Sequence, residues 1–301
     1  MNSTIPLTVP AAKKNEFIQN YTAATQGSGN LFLFAADQKI EHLNKDFYGT
    51  GISHESADPE HVFKIASTAR IGAFATQLGL IARYAESYRN VNYVVKLNSK
   101  TDLVPTAQQE PLSTLLHTVA DVVTFKQQTN LNIVGVGYTI YLGSEHESVM
   151  LAQAAQVIFQ AHQHGLLAIL WVYPRGKAVP HERDASLIAG AAGIAACLGA
   201  DFVKINPPLA TSEHSSAQLL AQASRAAGNT KVICSGGASK DAPDFLQELY
   251  EQLHKGSVRG AAIGRNIHQK DLASAQKFCA AAAALIFDNK DLATALQLLV
   301  R

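Results

Sequence analysis

A lysine inside an apolar run is a chemical oddity, and Phe202-Val203-Lys204-Ile205 contains one. Lysine is among the side chains least often buried. Its amine can ion-pair inside a core or snorkel to the rim. The same setting can do chemistry, because desolvation disfavours the ammonium form and leaves a nucleophile near neutral pH. Such an amine attacks a ketone, loses water and becomes a cationic iminium, which draws electrons from an adjacent carbon–carbon bond. A reaction of that kind also needs a proton carrier. Tyr173, in Trp171-Val172-Tyr173-Pro174-Arg175-Gly176, is one choice if a nearby cation lowers its pKa from about 10; it is otherwise a packed aromatic. Asp37, closing Leu31–Ala36, is another: it can pair with Lys204 and relay protons, or simply cap a loop.

Two glycine turns offer a grip for an anion. Cys234-Ser235-Gly236-Gly237-Ala238 and Ile263-Gly264-Arg265-Asn266 each follow a short apolar run. Glycines there let phosphate oxygens approach backbone N–H groups, and an arginine adds a planar fork. A single Ser-Gly-Gly is mostly just a turn. Two such loops on successive strands point to a phosphate held by Ser235, Gly236, Gly237, Gly264 and Arg265.

The elements that must carry these residues follow from hydrophobic spacing. Apolar runs at Leu31–Ala36, Gly72–Thr76, Tyr93–Leu97 and Ile133–Thr139 read as strands buried on both faces. Ala168–Tyr173, Phe202–Ile205, Val232–Ser235 and Gly260–Ile263 bring the number to eight. Between them, apolar residues spaced by three and four mark helices, as at Leu187, Ala191, Ile194, Ala195 and Leu198 before Gly199. Strand–helix alternation implies a parallel sheet. Periodicity does not decide whether that sheet closes. No linker divides the chain, so residues 1–30 read as a helical extension packed on one catalytic domain, 31–301.

With 301 residues and 47% hydrophobic content, the chain can bury a large α/β core. A formal charge of +1 argues against nucleic-acid or anionic-membrane partners. Cys197, Cys234 and Cys279 lack metal-site spacing and read as buried free thiols in a reducing, cytoplasmic setting. No HExxH pattern occurs, and His162 and His164 fall on different faces of a helix, so no metal is expected.

Taken in order, several segments resemble the archaeal-type class I fructose-bisphosphate aldolases over about residues 30–285. They are Asp37 with Glu41-His42, Lys96-Leu97-Asn98-Ser99-Lys100-Thr101, Tyr141-Leu142-Gly143-Ser144-Glu145, Trp171–Gly176, Val203-Lys204, Ser235-Gly236-Gly237 and Gly264-Arg265-Asn266. The resemblance implies a (β/α)8 TIM barrel, with Lys204 as the Schiff-base residue, Tyr173 as acid/base and Asp37 in the proton relay. It places Trp171 beside the sugar hydroxyls and the two glycine loops on a sugar phosphate. It further implies a phosphorylated sugar substrate, no cofactor beyond the lysine imine, and a homo-oligomer. Two departures stand out: Asp37-Gln38-Lys39 where relatives often have Asp-His-Gly, and Ser99 where many have glycine. A sister enzyme sharing the YPRG and GRN pieces, 2-amino-3,7-dideoxy-D-threo-hept-6-ulosonate synthase, is the alternative.

Overall fold

The computed structural model describes residues 5–300; residues 1–4 of the expected extension and residue 301 lie outside the described residues. Eight strands form where the apolar runs stand: β1 (Leu31–Ala35), β2 (Ala73–Gln77), β3 (Tyr93–Lys96) and β4 (Ile133–Leu142). β5 (Leu167–Pro174), β6 (Phe202–Ile205), β7 (Lys231–Ser235) and β8 (Gly260–Ile263) complete them. All pair in parallel with their sequence neighbours, and β8 pairs with β1 from Leu31↔Gly260 to Phe34↔Ile263. That last ladder closes the sheet into a (β/α)8 barrel and leaves no open edge.

The helices used below are α1 (Lys14–Thr25), α2 (Gln38–Glu41), α3 (Glu60–Thr68), α4 (Leu78–Tyr84), α5 (Val119–Thr129) and α6 (Glu147–Gln163). They continue as α7 (Ala185–Leu198), α8 (Ser216–Ala226), α9 (Ala242–His254), α10 (Arg265–His268), α11 (Leu272–Ile286) and α12 (Leu292–Val300). α7 shows how local chemistry sets their limits. Asp184 caps its first turn by accepting from the Ser186 and Leu187 N–H groups, and Gly199 ends it in the left-handed region at φ 89°.

Alternation along the strands sorts side chains into two cores. Residues such as Val203, Ile205, Val136 and Ile140 face outward and pack beneath the helices. Leu31, Leu33, Ala73, Val94, Ile169, Trp171, Phe202 and Ile233 face inward and fill the barrel. α1 closes the amino-terminal end of that interior. Its Phe17 joins the inner core, and Tyr21 stacks on Phe202 with ring centroids 5.8 Å apart.

β4 and β5 run further than their apolar cores suggested. They stay paired from Gly135↔Leu167 to Leu142↔Pro174, beyond the level at which Trp171 meets Lys204 on β6. This two-stranded arm stands above the carboxyl rim and carries Tyr141 and Tyr173 side by side. The cysteines need one correction. Cys234 and Cys279 are buried thiols, but Cys197 is exposed, because it falls on the solvent side of α7.

Candidate active site

Inward positions recur every second residue, so the strand ends deliver the polar side chains to one place. Lys204, two residues after the inward Phe202, points into the barrel mouth and is 5% exposed. Trp171 and Tyr173 continue the inward line of β5. Asp37 and Ser235 stand in the equivalent places after β1 and at the end of β7, and Gly264 follows β8 directly. All nine residues singled out from sequence line a single cavity of about 170 Å³: Asp37, Trp171, Tyr173, Lys204, Ser235, Gly236, Gly237, Gly264 and Arg265. A larger cleft, about 580 Å³, lies outside it between α8 and α9. The cleft shares only Asn206, Ser235, Gly236 and Gly237 with the mouth and contains none of the catalytic candidates.

Burial lowers the pKa of the Lys204 amine, against the pull of the Asp37 and Glu41 carboxylates, and the nearby Lys96 and Arg265 charges add to the lowering. Lys204 takes part in no ion pair among the described residues. An Asp37–Lys204 pair, one of the two readings of that aspartate, is not formed. Asp37 instead lies 3.7 Å from the amine of Lys96, a fully buried lysine on β3. Lys96 is held there by the Asn98 carbonyl at 2.9 Å, and Asn98 is locked in turn by its bonds to Ser113 and Thr139. The amines of Lys96 and Lys204 sit 5.3 and 5.4 Å from the Trp171 ring. Space for this cluster comes from Gly137 on β4, where a Cβ would stand 2.5 Å from the Trp171 ring and 3.2 Å from the Lys96 stem.

Tyr173 does not meet the condition under which its phenol would ionise readily. Its pKa is not lowered but raised well above 10: burial dominates, Asp37 and Glu41 reinforce it, and Arg175 and Arg265 oppose it too weakly. The phenol therefore keeps its proton at neutral pH. Arg175 sits over the rings of Tyr141 and Tyr173 at 5.8 and 5.5 Å, and its Nε and Nη2 grip the Glu182 carboxylate.

On the opposite rim, Gly237 takes a φ of 66°, which favours glycine, and its exposed face is open. Arg265 donates from Nε to the Gly237 carbonyl at 3.0 Å, and Asn266 donates to the Gly236 and Ala238 carbonyls. Part of the Arg265 fork is thus spent holding the two glycine loops together. Ser235 donates to Asn206 Oδ1 at 2.6 Å.

Three buried polar atoms in this mouth find no protein partner: Asp37 Oδ1, Gln38 Oε1 and Trp171 Nε1. Unsatisfied groups of this kind cost stability and are rare, so their gathering here marks a place built for a polar ligand. Sequence reasoning assigned no chemistry to Glu41, Lys96, Tyr141, Arg175 or Asn206. Lys96 carried the same signal as Lys204, a lysine within an apolar strand, whereas nothing local marks Glu41. Among the described residues, no group of three or more His, Cys, Asp or Glu side chains is placed to hold a metal ion.

A closed parallel barrel with polar side chains converging at the carboxyl ends of its strands defines an enzyme of the (β/α)8 class. Residues 31–270 match the DeoC/LacD family aldolases. The chain is 52% identical over 294 residues to a Methanocaldococcus jannaschii protein named fructose-bisphosphate aldolase/6-deoxy-5-ketofructose 1-phosphate synthase, covering 98% of this chain and 93% of that one. The solved fructose-bisphosphate aldolase of Slackia heliotrinireducens superposes with a TM-score of 0.97 at 52% identity, over 99% of this chain and 93% of that one. An archaeal fructose-1,6-bisphosphate aldolase, solved with its catalytic lysine bound to a carbinolamine intermediate, matches with a TM-score of 0.76 at 31% identity, over 90% and 99% of the two chains. The protein belongs to the DeoC/LacD aldolase family, and it is an aldehyde-lyase. The resemblance to the archaeal-type class I aldolases is borne out.

Proposed function

We propose that the protein is a Schiff-base, class I fructose-bisphosphate aldolase. It cleaves fructose 1,6-bisphosphate reversibly to dihydroxyacetone phosphate and glyceraldehyde 3-phosphate, with Lys204 as the covalent residue and no metal. The observation that carries this reading is the buried Lys204 amine, its pKa lowered, facing a cavity that also holds Tyr173, Asp37 and two glycine loops.

In the cleavage direction the Lys204 amine attacks C2 of the open-chain ketose. Loss of the carbinolamine hydroxyl as water leaves a protonated imine. The C3–C4 bond then breaks as its electrons enter the iminium and the C4 hydroxyl gives up its proton. Because the Tyr173 phenol is protonated at rest, it takes that proton as its own passes to the Asp37 and Glu41 side of the cavity. Glyceraldehyde 3-phosphate leaves, the enamine is protonated at C3, and water releases dihydroxyacetone phosphate. Ser235, Gly236, Gly237, Gly264 and Arg265 hold the C1 phosphate, which fixes the ketone within reach of Lys204. Trp171 turns its unpartnered indole N–H toward the sugar hydroxyls. A cytoplasmic homo-oligomer belongs to the same reading. Among the described residues no helix is long and apolar enough to cross a membrane.

A second activity is favoured by the name of the Methanocaldococcus relative. Cut at the same C3–C4 bond, 6-deoxy-5-ketofructose 1-phosphate gives dihydroxyacetone phosphate and a methyl-ended 2-oxoaldehyde. The donor half and the lysine chemistry are shared, and only the acceptor differs. Borohydride reduction with dihydroxyacetone phosphate, followed by peptide mapping, tests the proposal. The adduct is expected on the peptide containing Lys204 and absent from Lys204→Arg. An adduct elsewhere, or sugar cleavage surviving in that variant, would overturn it.

A further inference from the structure

The amino ends of β7 and β8 carry positive charge that the proposed reaction does not use. Lys231 opens β7, Arg259 precedes β8, and Arg225 stands in the last turn of α8. Together with Ser224, Gly228 and Ser257 they line a cavity of about 390 Å³. It shares no residue with the catalytic mouth, which lies at the other ends of the same strands.

No Asp or Glu lines this cavity, and none of the three cations takes part in an ion pair among the described residues. The cavity before β4 shows the contrary arrangement: there Lys13 and Lys126 both bond to Glu16. Asp201, just before β6, has its Oδ2 taken by the Ala168 N–H and by His162. Like charges gathered without a carboxylate repel one another. Lys231 registers this, since burial lowers its pKa and Arg259 lowers it further.

The backbone around the cavity is also set apart. The turns after α8 and α9 pass through the left-handed region, at Gly228 with φ 57° and at Ser257 with φ 55°. Gly228 faces open space, whereas Ser257 is a side-chain-bearing residue in a conformation that favours glycine. Such strain gathers where a structure clamps a ligand. The Arg259 N–H donates to the Val232 carbonyl on β7 at 2.7 Å, and its own carbonyl accepts from Leu31 N–H at 2.8 Å. An anion gripped by the Arg259 side chain is therefore tied to the strands that close the barrel.

We infer that this cavity is a second anion site, in which Arg225, Lys231 and Arg259 take the phosphate group of a small molecule. Two guanidinium forks and an ammonium suit phosphate oxygens. The volume is that of a small-molecule site, and a formal charge of +1 gives the chain no extended basic face for a nucleic acid. Occupancy stabilises the barrel without entering the chemistry at Lys204.

The test is calorimetric titration of the full chain with inorganic phosphate and, separately, with glycerol 3-phosphate. The wild type is compared with a variant carrying Arg225→Gln, Lys231→Gln and Arg259→Gln. The glycine loops present a phosphate site in both proteins, so the difference between them isolates the amino-terminal cavity. The wild type is expected to bind an additional phosphate per chain, with affinity at least about tenfold above what the variant retains there. The tighter of the two ligands identifies the source of the phosphate group. Phosphate should also raise the wild-type Tm more than that of the variant, beyond chloride at equal ionic strength. Borohydride trapping of dihydroxyacetone phosphate should be alike in both, which shows that fold and mouth are intact. If the triple variant does not fold, Arg259→Lys, which keeps the charge and loses the fork, is read in the same way. Equal phosphate binding in wild type and variant, or stabilisation that chloride reproduces, would overturn the inference. So would a cavity that binds a single-stranded oligonucleotide and neither phosphate ligand.

Discussion

At the residue scale, the proposed reaction rests on one lysine amine, Lys204, whose neighbours pull its protonation both ways. Lys204 titrates below an ordinary lysine because it is buried, and Lys96 adds a positive neighbour. A lysine reacts as the free amine, so imine formation rises with pH as Lys204 loses its proton. Lys96→Met removes that neighbour and also frees the Asp37 carboxylate to favour the Lys204 ammonium. Both effects raise the Lys204 pKa. The acid limb of the pH profile for borohydride trapping should therefore move to higher pH; a limb that stays in place would show that Lys96 serves only packing. Tyr173→Phe probes the later step. It should cut cleavage turnover by about 10²–10⁴, the usual worth of a positioned proton carrier. Trapping of dihydroxyacetone phosphate should fall far less, because imine formation precedes the step at C4.

At the scale of elements, the site depends on one strand making room for its neighbours. β4 faces the barrel interior with Gly137, and a methyl group there would occupy the place of the Trp171 ring and press on Lys96. Gly137→Ala should cost about 1–3 kcal/mol in chemical unfolding, as overpacked cores do. It should also lower activity, because Trp171 is shared by both lysines. Unchanged activity would mean that the exact seat of the indole is unimportant. The β4–β5 arm has a related part: only its extension beyond the barrel rim brings Tyr141 and Tyr173 to the level of the cavity.

At the scale of the whole molecule, the barrel has two differently made ends. The carboxyl end is polar and open, while α1 closes the amino end with Phe17 inside the inner core. Phe17 also meets His162 edge-on at 5.8 Å. Phe17→Ala should lower stability by about 3–5 kcal/mol, the cost of emptying a buried aromatic site. The folded fraction should retain its aldolase rate, because the change lies at the far end of the barrel. A selective loss of rate without loss of stability would show coupling between the two ends.

Much of this was legible in the residues themselves. Eight apolar runs separated by amphipathic stretches specify strands and helices, since a strand covered on both faces must be apolar throughout. Lys204 and the glycine loops stood out because a charge in an apolar run and glycines after strands are locally out of place, whereas Tyr173 took its proposed role from the family resemblance. The rest depended on pairings between residues far apart in the chain. Closure needed the β1–β8 ladder, whose partners Leu31 and Gly260 no local pattern connects. Asp37 reads from sequence as either a partner of Lys204 or a loop cap, and only the fold could bring Lys96 to it instead. The proton held by Tyr173 and the placement of Glu41 were likewise decided in three dimensions. A pKa reflects every charge and all the burial around a group, and those neighbours come from strands spread over nearly the whole chain.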